Sequence, residues 1–212
     1  MALIVPEFYI GVDFAEKVDY TAIAIVEFRA AGAPHFLTPW DKPRPFYGLR
    51  HLERLPFGTS YPRAVERVAR MTRIPEMERR CTLVVDAGGP GNPLIGMLRE
   101  EDLDCHMIPV TTTGGQQETQ RNDGRTVPKA KLIGTLQLML ELGELRISTR
   151  LPSRGRLLDE LMNLRAGRSR TGKETFGAAG SSQHDDLVIA VALACWAARK
   201  GMVGHVSEGR IV

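Results

Sequence analysis

Apolar residues along this chain gather into short runs of strand character and longer stripes of helical spacing, in an order that predicts a sheet flanked by helices. Phe8 to Phe14 and Thr21 to Phe28 are rich in β-branched and aromatic residues and flank the polar stretch AEKVDY, which predicts an antiparallel hairpin. From Gly32 to Phe57 the prolines Pro34, Pro39, Pro43, Pro45 and Pro56 exclude a long helix and leave short strands around His35 to Leu37 and Phe46 to Leu52. Tyr61 to Arg73 puts Ala64, Val65, Val68, Ala69 and Met71 on one helical stripe with arginines opposite. Cys81 to Val85 is an unbroken apolar run of strand type, Pro93 suits the start of a helix over Leu94 to Glu101, and Cys105 to Val110 predicts the next strand. Strand, helix and strand at that spacing predict a parallel crossover.

The stretch TTTGGQQETQRNDGRTVP lacks apolar periodicity and reads as a long loop, of a kind that is usually functional or disordered. Pro128 then opens a helix to Leu142, a short strand is expected near Leu145 to Ile147, and another helix from about Gly155 to Leu164. After the basic segment AGRSRTGKETFGAAG, a last helix is expected from Asp185 to about Arg199. The fold class is therefore α/β: a mixed sheet with an antiparallel hairpin plus parallel strands and helices on both faces. No linker or internal repeat interrupts it, so one domain is expected over 1–200, with 201–212 as a C-terminal tail expected to fray.

Composition narrows the classes. At 212 residues and 43% hydrophobic content the chain buries ample core without disulfide or metal staples. A formal charge of +3 and a sequence pI of about 8.9 permit a polyanionic partner without requiring one. Cys81, Cys105 and Cys195 are odd in number and form no CxxC pair, which argues against a disulfide framework or a thiolate zinc site and for a reducing, intracellular compartment. MALIVPEFYI has no basic leader region, and the longest apolar stretch, Leu187 to Ala198, is too short to span a bilayer, so a soluble protein with no membrane partner is expected.

Chemistry concentrates in three acidic positions, each at the edge of an apolar run: Asp13 in FYIGVDFAEKVDY, Asp86 in CTLVVDAGGPG, and Asp185-Asp186 in SSQHDDLVIAVALACWAA. Singly, each has a plain reading. Asp13 with Asp19 suits hairpin-turn polarity, Asp86 before Ala87-Gly88-Gly89 suits a turn, and the acidic pair suits a helix cap. Together, carboxylates held at strand ends suit hard divalent cations such as Mg²⁺ or Mn²⁺, because close carboxylates repel by roughly 4 kcal/mol at 4 Å and an effective dielectric of 20 unless a cation intervenes. Two such ions beside a phosphodiester would support hydrolysis. His184 abuts the pair and is a candidate to hydrogen-bond a ligating carboxylate or a phosphate, although a capping or surface role is equally open.

Two basic runs are candidate nucleic-acid contacts: Arg121, Arg125, Lys129 and Lys131 around the long loop, and Arg165, Arg168, Arg170 and Lys173 in the later segment, where a solvated loop is the alternative. Gly167 to Glu174 nearly spells a phosphate-binding loop, but Glu174 stands where the magnesium-binding hydroxyl belongs and a helix is expected before it, so that reading is rejected. Gly88, Gly89 and Gly91 could cradle a nucleotide phosphate, yet the third glycine of GxGxxG is missing.

GVDFAEKVDYTAIAIVE resembles the opening motif of the nuclease domain of viral, tailed-phage large terminases, VVDAGGPGNPLIGMLRE its second acidic strand, and HDDLVIAVALA its closing helix. The resemblance spans Phe8 to about Arg199, with PKAKLIGTLQLMLELGELRI between the second and third motifs. It implies an RNase H-like fold and metal-dependent endonucleolytic cutting of concatemeric double-stranded viral DNA during genome packaging in the host cytoplasm. Two Mg²⁺ or Mn²⁺ ions are implied, with Asp13 and Asp86 as ligands and a third from Asp185 or Asp186. Asp186 is preferred, because related HxD motifs place the acid two after the histidine, with Asp185 contacting the second ion. A packaging ATPase motor, a small terminase subunit and a portal are the implied partners. The chain has no acceptable Walker A sequence and too few residues for a motor module, so translocation is not expected of it alone. A RuvC-like Holliday junction resolvase and a non-enzymatic nucleic-acid-binding module remain alternatives.

Overall fold

A computed structural model describes residues 6–14, 20–30, 45–88, 91–168, 174–178 and 185–208. Its centre is β1 (Glu7–Asp13), which pairs antiparallel with β2 (Ala22–Arg29) as the polar stretch between the two apolar runs predicts. β3 (Phe46–Arg54) continues that antiparallel meander on one side. On the other side of β1 come β4 (Cys81–Asp86) and β5 (His106–Thr113), both parallel to it and joined by α2 (Gly91–Glu100), the expected crossover. The described strands of the main sheet run β6-β7-β5-β4-β1-β2-β3-β8, where β6 is Thr119–Arg121, β7 is Gly124–Pro128 and β8 is Leu145–Ile147.

Period-two alternation divides the core. Ile10, Val12, Ile23, Ile25, Leu83 and Val85 pack beneath α1 (Tyr61–Thr72) and α2. Tyr9, Ala22, Ala24, Leu52, Val84 and Val110 face the opposite layer, made by α3 (Lys129–Glu141), α4 (Arg154–Asn163) and α5 (Asp186–Glu208). Residues 186–198 are buried without a break, so the first half of α5 has no solvent face and serves as the central helix of that layer. Ala190 and Ala194 bring its backbone close against β1 at Gly11.

Three expectations are corrected. The stretch read as a long loop extends β5 to Thr113 and then forms β6 and β7, in which Arg121 pairs with Gly124 across the two-residue turn Asn122-Asp123. Those two residues are a hairpin signal, and β6 is short, polar and exposed because it lies at the sheet edge. The basic segment holds β9 (Leu164–Arg168) and β10 (Glu174–Ala178), an antiparallel pair, so a strand and not a helix immediately precedes the rejected phosphate-loop match. Finally, α5 continues to Glu208 rather than ending near Arg199. The strand expected around His35 to Leu37 lies outside the described residues.

Candidate metal centre

Asp13 is the last residue of β1 and Asp86 the last of β4. These strands are parallel neighbours in a register that pairs Val12 with Val85, so one further step sets the two aspartates side by side on strands about 4.8 Å apart. Alternation also fixes their face. Tyr9 and Val84, an even number of residues back, belong to the core under α5, whereas Val12 and Val85 belong to the opposite core.

The start of α5 is brought to the same place by two glycines. A Cβ on Gly11 would drive into the backbone carbonyl of Ala190 and come within 2.9 Å of the Ala194 nitrogen, so only glycine lets the helix lie flush on β1 there. Gly201 likewise meets the Tyr9 ring. Tyr9 therefore lies opposite Gly201 and Gly11 opposite Ala190. The helix runs antiparallel to β1, and its first turn reaches the strand end that carries Asp13 and Asp86.

Asp86 is oriented by two donors. Its Oδ1 accepts the Gly88 N–H at 2.8 Å and its Oδ2 the Thr112 hydroxyl at 2.9 Å. Asp185 accepts from Lys129 Nζ at 2.7 Å and remains partly open to solvent. Asp186 differs: it is 2% exposed, and Arg54 holds it through Nε at 2.7 Å and Nη2 at 3.0 Å. The same Arg54 ion-pairs with Glu160 of α4 and lies over the Tyr20 ring, 4.8 Å from its centroid. Asp13 pairs with Ala22 and Ala22 with Arg54, so Arg54 stands in the same transverse row as Asp13, two strands away. Burial, and then repulsion from Asp186, push the Glu160 carboxyl up to about 8 against the opposing pull of Arg54 and of the Val188 and Leu187 N–H groups.

Among the described residues no three His, Cys, Asp or Glu side chains are already gathered into an ion cage. Asp185 is paired with Lys129 and Asp186 with Arg54. The donor set nevertheless fits a hard divalent ion. Asp13, Asp86 and Asp185 offer oxygen alone from one end of one sheet face, and Asp86 is steered by hydrogen bonds of the kind that orient metal-ligating carboxylates.

The basic run of the edge hairpin is divided by the structure. Lys129 follows β7 at the acidic end of the sheet, while Arg121 and Arg125 lie at the far end, lining a cavity of about 360 Å³ with Arg99 and His106. Arg168 ends β9. His184, Arg170 and Lys173 lie outside the described residues. Sequence reasoning missed Arg54, Thr112 and Glu160. Only Glu160 left a trace: it stands three residues after the buried Leu157, on the inward stripe of α4, where a charge needs a partner.

No family model matches the chain. The large terminase subunit of Thermus phage G20c is 25% identical over 185 residues, covering 87% of this chain and 30% of that protein. The crystal structure of the large terminase nuclease from thermophilic phage G20c with bound magnesium superposes with a TM-score of 0.61 at 22% identity, over 90% of this chain and 81% of that one. The fold is that of a phage large-terminase nuclease domain. A mutant nuclease domain of the large terminase subunit gp2 of bacterial virus Sf6, solved with manganese and beta-thujaplicinol, shares it at a TM-score of 0.58 and 12% identity, over 89% of this chain and 87% of that one. The terminase-nuclease fold is thus the RNase H-like architecture expected of the sequence. The chain spans about 30% of the length of the curated relatives it matches.

Proposed function

We propose that this chain is a metal-dependent DNA endonuclease that hydrolyses phosphodiester bonds of concatemeric double-stranded viral DNA during genome packaging, as the nuclease part of a large terminase. One observation carries the reading. Asp13 and Asp86 end adjacent parallel strands on the sheet face against which Gly11 seats α5, bringing Asp185 to the same end. Asp13, Asp86 and Asp185 would hold Mg²⁺ or Mn²⁺, in a two-ion arrangement. Bound there, such ions supply an activated water and charge stabilisation for the leaving oxygen.

The chain's own residues do the rest. Thr112 and the Gly88 N–H fix the Asp86 carboxylate, so it need not reorganise when a cation or phosphate arrives. Lys129 pairs with Asp185 and would offer its ammonium to a phosphate oxygen. The exposure of the two aspartates supports a choice of Asp185 over Asp186 within the acidic pair. Asp185, at the surface, is the ligand, and Asp186, buried against Arg54, is structural. Arg121 and Arg125, one strand length from Lys129, and Arg168, Arg170 and Lys173 of the later segment would follow the duplex backbone. A packaging motor, a small terminase subunit and a portal in the host cytoplasm would be its partners. No described helix is long and apolar enough to cross a membrane.

Incubating plasmid with the protein and Mn²⁺ or Mg²⁺ tests the proposal. Wild type should cut, Asp86→Ala and Asp185→Asn should not, and Asp186→Asn, which loosens the Arg54 anchor without removing a ligand, should cut at raised Mn²⁺. Wild-type activity no greater than that of Asp86→Ala would refute it, and a strong preference for four-way junctions over linear and supercoiled DNA would favour a resolvase.

A further inference from the structure

The carbonyl of Asp185 accepts the Ile189 N–H at 2.9 Å, which makes Asp185 the residue that caps α5. An aspartate in that position ordinarily folds its carboxylate back onto the N–H groups two and three residues on, here Leu187 and Val188. Asp185 does not: its carboxylate reaches Lys129. The Val188 N–H is served from another helix, by Glu160 of α4, whose Oε2 accepts it at 3.2 Å.

Such a substitution of caps creates an electrostatic conflict. Glu160 and Asp186 are 8% and 2% exposed at the side chain and would repel one another in a poorly solvated space. Arg54 lies between them. Its planar guanidinium donates to both Asp186 oxygens and to Glu160 at once, a geometry that a lysine ammonium does not reproduce.

We infer that Glu160 and Arg54 are positioning residues of the metal centre: together they cap and anchor the first turn of α5 from outside, so that the Asp185 carboxylate is left to face the cation. This rests on the metal-centre reading above. α4 thereby becomes part of the site although none of its side chains is a ligand.

The test is calorimetric titration of the full chain with Mn²⁺, with far-UV circular dichroism to check folding and plasmid cutting followed across Mn²⁺ concentration. Glu160→Gln keeps an oxygen for the Val188 N–H but sets an amide NH2 against the Arg54 guanidinium, so it should weaken Mn²⁺ binding by less than Glu160→Asp does. Glu160→Asp is one methylene short of the helix end and should bind roughly 10- to 100-fold more weakly, the range typical of groups that orient ligands. Its cutting should recover at raised Mn²⁺, because Asp185 is misplaced rather than absent, whereas Asp86→Ala should not recover. If Glu160→Asp does not fold, Arg54→Lys is the second variant and should show the same weakened, metal-rescued behaviour. Wild-type affinity in folded Glu160→Asp, or in Arg54→Lys, with binding abolished in Asp86→Ala, overturns this inference alone. Failure of wild type to bind Mn²⁺ overturns the metal centre and this inference with it.

Discussion

Asp86 shows how a single carboxylate is prepared for work at a strand end. Its two oxygens have different donors, a backbone N–H two residues on and a hydroxyl from the neighbouring strand, so its plane is fixed before anything binds. Replacing Thr112 by valine keeps the shape but removes the donor to Oδ2. The expected cost in stability is about 1 kcal/mol, in line with the loss of one hydrogen bond to a charged group near the surface. Cation binding should suffer more, by roughly tenfold, because the carboxylate gains rotational freedom that binding must remove. Urea unfolding and Mn²⁺ titration of Thr112→Val separate the two, and equal losses in both would show that the hydroxyl merely stabilises the fold. Asp13 and Asp86 were legible in the sequence because each ends an apolar run, and strand ends are where alternation brings a charge to the rim. Arg54 and Thr112 were not. Their roles depend on which strands become neighbours, a long-range fact that no local window of sequence carries.

Among the elements, α5 sets the position of the site, and Gly11 sets the position of α5. The helix was legible as a long apolar stretch, and its close seating was hinted by alanines, but the need for glycine at position 11 follows only from the distance between helix and strand. Gly11→Ala would place a methyl group inside the Ala190 carbonyl, so the helix must move away from β1. Overpacking of this kind costs about 1–3 kcal/mol, and backbone cannot yield as a side-chain tip does. The variant should melt at a visibly lower temperature, and its cation affinity should fall even where it is still folded, because Asp185 rides on the displaced helix. Unchanged Mn²⁺ affinity in a destabilised Gly11→Ala would mean that the first turn of α5 is placed by something other than its contact with β1. The edge hairpin β6–β7 shows the opposite kind of legibility. Asn122-Asp123-Gly124 announces a tight turn, yet Thr119, Gln120 and Arg121 carry no apolar alternation, since all three are exposed at the rim of the sheet.

At the scale of the whole molecule, both helical layers are tied to the sheet by carboxylates, and this fixes how the fold should respond to acid. Glu53 of β3 is gripped by Arg67 of α1, at 2.8 and 2.9 Å, and lies 3.3 Å from His51. Glu118, just before β6, ion-pairs with Arg125 of β7, Lys131 of α3 and Lys200 of α5. Burial works against both carboxylates, but His51 and Arg67 in the first case, and Lys131 and Lys200 in the second, outweigh it and hold each at about 2. A carboxyl depressed in the folded state contributes its full stabilisation above its unfolded value near 4.5, and that contribution is lost as pH falls through about 2. Allowing for cationic partners that reach solvent, each is worth about 1–3 kcal/mol. Wild type should therefore lose stability steadily between pH 4.5 and 2, as followed by urea midpoints at fixed ionic strength. Glu53→Gln and Glu118→Gln should each be less stable than wild type at pH 6 and should lose less on acidification, so that the curves converge near pH 2. Curves that stay parallel to wild type throughout would mean that these carboxylates do not link the layers to the sheet in solution. The same titration is informative for α3 and α5, which carry Lys129 and Asp185 and share Glu118 as a common anchor: acid should loosen this side of the candidate site through a contact remote from its ligands.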